Sequence, residues 1–146
     1  MLNEKFIEAL KVVASRLNNS DIKWFLTGSS NCTLQGVDMN PSHIGIVFGH
    51  EDLEKFLFLF SEFKHIETEE RDNGEAKEFF MHVYGVKFLI CGEYNHGTYI
   101  IVNKAPLKIK VNGMIIPCLS LRAEEEAYRK LGMIEKADMI KAFLKK

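Results

Sequence analysis

The segment from Trp24 to Gly36 limits the possible folds more than any other part of the sequence. Its first residues, Trp24-Phe25-Leu26, form a short apolar run that is typical of a buried strand. Thr27-Gly28-Ser29-Ser30 follows directly, and the residues after it predict a short helix that Gly36 ends. A strand that turns through glycine into a helix favours a fold in which helices cover a β-sheet.

The turn itself predicts a binding site. Gly28 lets the backbone turn sharply and approach a ligand, because glycine has no Cβ. Ser29 can cap the helix that follows, and free N–H groups at a helix start form a site for phosphate oxygens. We therefore predict phosphate binding at Gly28, Ser29 and Ser30. The alternative is plain helix capping without a ligand.

The rest of the chain alternates helical and extended patterns without a linker. Apolar spacing predicts an opening helix with one buried face, a strand over 44–48 and an apolar helix over 52–63. Strands are predicted at 78–83 and 86–91 around Tyr84-Gly85, and also at 99–102. Asn112-Gly113 predicts a tight hairpin between 108–111 and 114–116, and Ser120 caps the first of two final helices.

These elements predict the fold class α/β (α+β). We expect one domain over residues 1–146, with a mixed β-sheet flanked by helices and with helices at the carboxy terminus. The first predicted helix has its apolar face at Phe6, Leu10, Val13 and Leu17.

Composition and charge narrow the class of function. The 146 residues carry a formal net charge of −1, which disfavours a protein that binds nucleic acid by neutralising phosphates. The longest apolar run, Phe56–Phe60, is far shorter than the ~20 residues that span a bilayer. The amino terminus has no signal-peptide pattern, and Cys32, Cys91 and Cys118 are too widely spaced for a zinc site. We expect a cytoplasmic protein with buried, reduced cysteines and no membrane partner.

Several motifs together resemble a known family. Trp24-Phe25-Leu26-Thr27-Gly28-Ser29, then Leu34-Gln35-Gly36-Val37 and a second strand resemble the signature of the nucleotidyltransferase superfamily. The chain is most similar to small stand-alone prokaryotic members. The resemblance continues through Tyr84-Gly85-Val86-Lys87, Pro117-Cys118-Leu119-Ser120-Leu121 and Ala127-Tyr128-Arg129-Lys130-Leu131-Gly132.

The resemblance implies nucleotidyl transfer assisted by two metal ions. In the family the Gly-Ser element holds a nucleoside triphosphate. An Asp-x-Asp pair on the second strand and a third acid on a neighbouring strand hold two magnesium ions. Residues i and i+2 of a strand share a face, so that both carboxylates reach one spot. Two such ions stabilise the attacking and leaving oxygens of an in-line displacement.

This sequence departs from that pattern at all three acids. His43 and Gly45 stand where the aspartate pair belongs, and Leu89 stands at the third acid position. The expected consequence is loss of magnesium binding, no metal or other cofactor, and no catalytic residue. We expect a degenerate member rather than an active enzyme.

Two kinds of function follow. The first is a non-catalytic module that binds a nucleotide or another polyphosphate, or that contacts a protein partner. The helix containing Phe56–Phe60 is apolar on more than one side, so a homodimer or partner interface there is one expectation and burial under the protein's own strands is the other. The alternative function is an active nucleotidyltransferase that moves a nucleoside monophosphate to an unknown acceptor with a non-standard metal site.

Overall fold

The fold is described by a computed structural model for residues 2–68 and 74–146. Its strands are β1 (Trp24–Thr27), β2 (Ile44–Gly49), β3 (His65–Glu67), β4 (Ala76–Val83), β5 (Val86–Glu93), β6 (Leu107–Val111) and β7 (Met114–Cys118). Its helices are α1 (Glu4–Asn18), α2 (Gly28–Leu34), α3 (Leu53–Leu59), α4 (Thr98–Val102), α5 (Leu121–Lys130) and α6 (Ile134–Leu144). The predicted mixed α/β class is confirmed.

One seven-stranded sheet joins these strands in the order β3-β4-β5-β2-β1-β7-β6. The pairs β2/β5 and β1/β7 are parallel, and the remaining neighbours are antiparallel. The strand before the Gly28 turn therefore lies inside the sheet, with β2 on one side and β7 on the other. This position places the turn next to strands from both halves of the chain.

The main hydrophobic core lies between one face of the sheet and helices α1 and α3. The predicted apolar face of α1 is buried at Leu10, Val13 and Leu17. Phe56 and Phe60 are fully buried, with their ring centroids 4.5 Å apart. One face of β4 and β5 therefore packs against α1 and α3. The opposite face of the sheet is left for the remaining helices.

Smaller apolar clusters lie on the opposite face. One cluster joins Val47 and Cys91 of the sheet to α4 and α5, and another joins Cys32 of α2 to α5 and α6. Cys32, Cys91 and Cys118 are buried and unbridged, as the sequence predicts. None of the helices described is both long and apolar enough to cross a bilayer.

Turns and caps follow the sequence closely. Asn112 and Gly113 have φ angles of 47° and 82°, the left-handed conformation that a tight hairpin turn requires. Ser120 caps α5 and accepts a hydrogen bond from the Ala123 amide at 3.2 Å. Both predictions are confirmed.

The prediction of a strand over 99–102 is wrong, because this segment is helix α4. Glu93, fully buried at the end of β5, accepts hydrogen bonds from the Tyr99 and Ile100 amides at 3.3 and 2.8 Å. A carboxylate at these first N–H groups stabilises a helix start that β-branched residues alone would not favour.

The apolar helix after β2 is shorter than the predicted 52–63. A 3-10 turn at His50–Asp52 leads into α3, which ends at Leu59, and Phe60 already has non-helical dihedral angles. The chain then turns so that Phe63 packs against the main core. Strand β3, at the sheet edge, has no counterpart among the sequence predictions.

Candidate functional site

The candidate site lies on the sheet face opposite the main core. The registers of the central strands place Thr27, Gly45, Leu89 and Phe80 side by side on β1, β2, β5 and β4. Paired residues share one face of a sheet, so these four positions form a row beside the Gly28 turn. Thr27, Gly45 and Leu89 of this row form the floor of a cavity of about 300 Å³.

The structure brings together the three positions predicted to have lost an acid. His43, Gly45 and Leu89 line this cavity, and so does Gly28. The other described residues of the lining are Thr27, Val47, Glu78, Cys91, Tyr99, Leu131 and Met133. The strand after the Gly28 turn, the neighbouring strand and the loop before α6 therefore meet at one place.

A side chain at position 45 would not fit this backbone. A Cβ on Gly45 would lie 2.8 Å from the carbonyl oxygen of Thr27 on the paired strand. Real Cβ atoms do not approach backbone oxygens so closely, so strands β1 and β2 would have to separate. The pairing of β1 with β2 therefore requires glycine at position 45, which is one of the predicted acid positions.

The amide at the helix start is not free. The Gly28 N–H donates a hydrogen bond to Oε1 of Glu124 on α5 at 2.7 Å. The prediction that Ser29 caps this helix is wrong: α2 begins at Gly28, Thr27 is its N-cap residue and makes no side-chain cap bond. A glutamate 96 residues away in the sequence serves as the cap.

The two serines also have partners inside the protein. Ser29 Oγ lies 3.5 Å from the hydroxyl of Tyr128. Ser30 is fully buried, and its hydroxyl contacts the Thr27 carbonyl and accepts a hydrogen bond from the Gly45 amide, both at 3.4 Å. Phosphate binding at Gly28, Ser29 and Ser30 remains a prediction, and a phosphate would have to replace these internal contacts.

A buried polar network fixes Glu124. Asn31 donates to Glu124 Oε1 at 3.2 Å and to the Leu119 carbonyl at 2.8 Å. Gln35 in turn donates to Asn31 Oδ1 at 2.8 Å. Burial raises the pKa of Glu124 to about 7, and the hydrogen bonds from Gly28 and Asn31 offset part of that effect.

Glu124 lies in the first turn of α5, where an acidic side chain ordinarily favours the start of its own helix. The structure instead buries it completely and points it at α2. No local pattern marks this contact, because it joins residues far apart in sequence. The only signal in the sequence is that Glu124 is a polar residue on a face of α5 that is otherwise apolar.

His43 and Glu78 contribute an imidazole and a carboxylate to the cavity lining. Burial lowers the pKa of His43, and the nearby Lys87 and Lys136 lower it further while Glu78 opposes them. Glu78 accepts a hydrogen bond from Cys91 Sγ at 3.2 Å. The cavity thus combines an imidazole, one carboxylate and a largely apolar floor.

These donors do not fit the two-magnesium centre that the resemblance implies. Magnesium prefers several carboxylate oxygens, and of the described lining residues only Glu78 carries a carboxylate. Within residues 2–68 and 74–146, no three His, Cys, Asp or Glu side chains are grouped closely enough to hold a metal ion. We derive no catalytic step through magnesium.

Comparison with solved structures places the fold. A protein from Thermotoga maritima assigned as a nucleotidyltransferase superposes with a TM-score of 0.78 at 28% identity, covering 99% of this chain and 96% of that one. The lincomycin-bound lincosamide adenylyltransferase LnuA gives a TM-score of 0.59 at 15% identity, with 84% of both chains covered. ANT(2″)-Ia with adenylyl-2″-tobramycin gives 0.55 at 12% identity, covering 95% of this chain and 96% of its own.

No protein-family model and no curated protein matches the chain. The structural matches extend over nearly all of the sequence, and the first of them shares more than a quarter of its residues with this chain. The strand, glycine turn and short helix that the sequence predicted lie within the matched region. The chain therefore has the fold of the nucleotidyltransferase superfamily.

Proposed function

We propose that this protein binds a nucleotide in the cavity beside Gly28 and does not transfer it. The observation that carries the proposal is the convergence of His43, Gly45 and Leu89 with Gly28 around one cavity. In the family resemblance, these positions surround the reacting phosphates. Here none of the three carries a carboxylate. The cavity therefore lies at the same place in the fold but is lined by different chemical groups.

The close approach at Gly45 supports the loss of catalysis. A carboxylate at this position would need a Cβ where the Thr27 carbonyl oxygen leaves no room. Losing several kcal/mol of metal stabilisation in the transition state would slow the reaction at least about a thousandfold. The alternative, an active nucleotidyltransferase with a non-standard metal site, would have to recruit Glu78 and acids from outside the described lining.

A titration with and without magnesium tests the proposal. Purified protein is titrated calorimetrically with ATP and the other nucleoside triphosphates, first in EDTA and then in magnesium. We expect saturable binding whose dissociation constant is the same within about twofold in both conditions. The control is a parallel assay for pyrophosphate release, which should stay at the rate of the protein-free solution.

Two results would contradict this function. Magnesium-dependent release of pyrophosphate above background would show that an unrecognised metal site supports transfer. Absence of binding for all triphosphates at millimolar concentration would show that the cavity no longer takes nucleotides.

A further inference from the structure

Three basic side chains lie next to one another across the sheet, and one of them, His43, lines the cavity. His82 on β4 pairs with Lys87 on β5. Ile44 pairs with Phe88 on the parallel strand β5, and His43 and Lys87 are the residues that directly precede this pair. We name His43, Lys87 and His82 the basic row.

All three side chains of the basic row lie on the cavity face. Neighbouring residues of a strand point to opposite faces, and Phe88 and Val83, next to Lys87 and His82, are fully buried in the main core. His43 lines the cavity itself. The basic row therefore lies on the same face of the sheet as the cavity floor.

Two lysines bring positive charge to this end of the cavity. Lys87 Nζ lies 4.1 Å from the centre of the Phe80 ring, and Phe80 pairs with Leu89 of the cavity floor. Lys136 Nζ on α6 lies 5.7 Å from the ring of Tyr128. Both lysines act electrostatically on His43 and favour its neutral form, and Lys136 follows Met133 of the cavity lining by three residues.

The other end of the cavity carries a carboxylate. Glu78 pairs with Cys91, which in turn pairs with Val47. Val47 is four residues beyond His43 on the same face, which corresponds to about 13 Å along the strand. The cavity thus has His43 at one end, with Lys87 beside it on the next strand, Leu89 on its floor and the Glu78 carboxylate at the other end.

The Gly28 turn is a poor place for a phosphate in this protein. Its amide already binds the Glu124 carboxylate at 2.7 Å, and that carboxylate would repel a second anion at the same amide. The hydroxyl of Ser30 is buried against the Gly45 backbone. An anionic ligand group is therefore better accommodated at the basic row.

We propose that the basic row, together with Lys136, binds the single phosphate of a nucleoside monophosphate whose base extends towards Glu78. This inference rests on the proposed nucleotide-binding function and moves the anion site away from the Gly28 turn. Lysine ammonium groups and imidazole N–H groups are ordinary phosphate donors, and a carboxylate accepts from the amino group of adenine, cytosine or guanine. A cavity of about 300 Å³ is at the small end for ligand sites, so additional phosphates would lie outside it.

The test compares ligands with and without a phosphate on matched variants. AMP, ATP and adenosine are titrated into wild type, Lys87→Gln, Lys136→Gln and Lys110→Gln, all in EDTA. Lys110 is the control, because it is an exposed lysine on β6 at the far edge of the sheet. Melting temperatures of all four proteins verify that each variant is folded.

We expect wild type to bind AMP at least as tightly as ATP and roughly tenfold more tightly than adenosine. Lys87→Gln and Lys136→Gln should each weaken AMP binding about tenfold and leave adenosine binding nearly unchanged. Lys110→Gln should behave as wild type. Ser29→Ala, a fifth protein that is titrated and melted in the same way, should also retain AMP binding, because the turn is not the anion site.

The outcomes separate this inference from the function it rests on. Wild-type binding of AMP that Lys87→Gln and Lys136→Gln retain, or that Ser29→Ala abolishes, overturns the basic-row site and leaves nucleotide binding intact. Binding of adenosine and AMP with equal affinity also overturns the site. Failure of wild type to bind any of the three ligands overturns both.

Discussion

At the residue scale, two buried glutamates replace the side chains that usually cap helices. Glu124 accepts from the Gly28 amide at the start of α2, and Glu93 accepts from the Ile100 amide in the first turn of α4. Both carboxylates are fully buried. A negative charge near the first N–H groups of a helix is electrostatically favourable, and burial strengthens this attraction while it penalises the charge itself.

The attraction to the helix N–H groups and the cost of burying the charge oppose each other. We therefore expect the free energy of unfolding to depend on the protonation of Glu124, and hence on pH. Its pKa in the folded protein is about 7, above the usual value near 4.5, so the folded state holds a proton that the unfolded chain has already released. The contribution of Glu124 to the free energy of unfolding is fully present below about pH 4.5 and is lost as pH rises through about 7. Glu124→Gln should remove this loss, which is on the order of 3 kcal/mol.

Urea unfolding at pH 5 and pH 8 measures the effect. Wild type should lose more free energy of unfolding than Glu124→Gln between the two pH values. Glu125→Gln is the matched control, because Glu125 forms an i,i+4 ion pair with Arg129 at the surface of the same helix. Parallel pH profiles for wild type and Glu124→Gln would contradict the raised pKa.

At the scale of elements, local signals predicted some structures well and others poorly. The Asn112-Gly113 hairpin and the α5 cap depend on neighbouring residues, and both were predicted correctly. Helix α4 depends on Glu93 reaching forward from the preceding strand, so its apolar, β-branched sequence indicated a strand instead. The Gly28 turn was found, but its partner Glu124 was not, since that contact depends on the completed fold.

Helix α3 carries the prediction about association. Phe56 is buried, whereas Phe58 is 72% exposed beside a groove of about 610 Å³ that Ile22 and Leu59 help to line. We expect wild type to associate at high micromolar concentration through this surface and Phe58→Glu to be monomeric, because a charge there would be costly to bury.

Light scattering on the two proteins measures this association. Met139→Glu is the control, since Met139 is an exposed apolar residue on α6 rather than on α3. A wild type that remains monomeric at high micromolar concentration would exclude the homodimer, and equal dissociation by both substitutions would place the interface elsewhere.

At the scale of the whole molecule, motifs spread over most of the sequence predicted the fold, and the match to the Thermotoga maritima structure extends over 99% of the chain. The resemblance singled out His43, Gly45 and Leu89, and the structure places all three around one cavity. The motifs did not reveal the close approach of Gly45 to Thr27, since such a distance depends on the position of a paired strand.

Because position 45 lies so close to Thr27, the experiment on metal binding leaves Gly45 unchanged. Two acids are installed instead, by His43→Asp and Leu89→Glu, in a cavity that Glu78 already lines. Like charges should destabilise this variant without metal, and magnesium that binds only the folded state should restore stability. At a tenfold excess over its dissociation constant, magnesium contributes about 1.4 kcal/mol, or roughly 3–6 °C in melting temperature.

The wild-type melting temperature should not change with magnesium when sodium chloride is used to match ionic strength. An equal magnesium response in wild type and in the double variant would show that the acids were installed away from the metal position. A response in wild type alone would show that its own carboxylates hold the ion.

The bond between Gly28 and Glu124 also has a consequence for biosynthesis. The two residues are 96 positions apart, and at about 5–20 residues per second the ribosome needs roughly 5–20 s to travel from one to the other. During that interval the start of α2 has no cap, and β1 lacks its partner β7, which is also translated late. The nascent chain therefore cannot complete this cavity gradually from the amino terminus. The site forms as a late event, when α5 has emerged and docks.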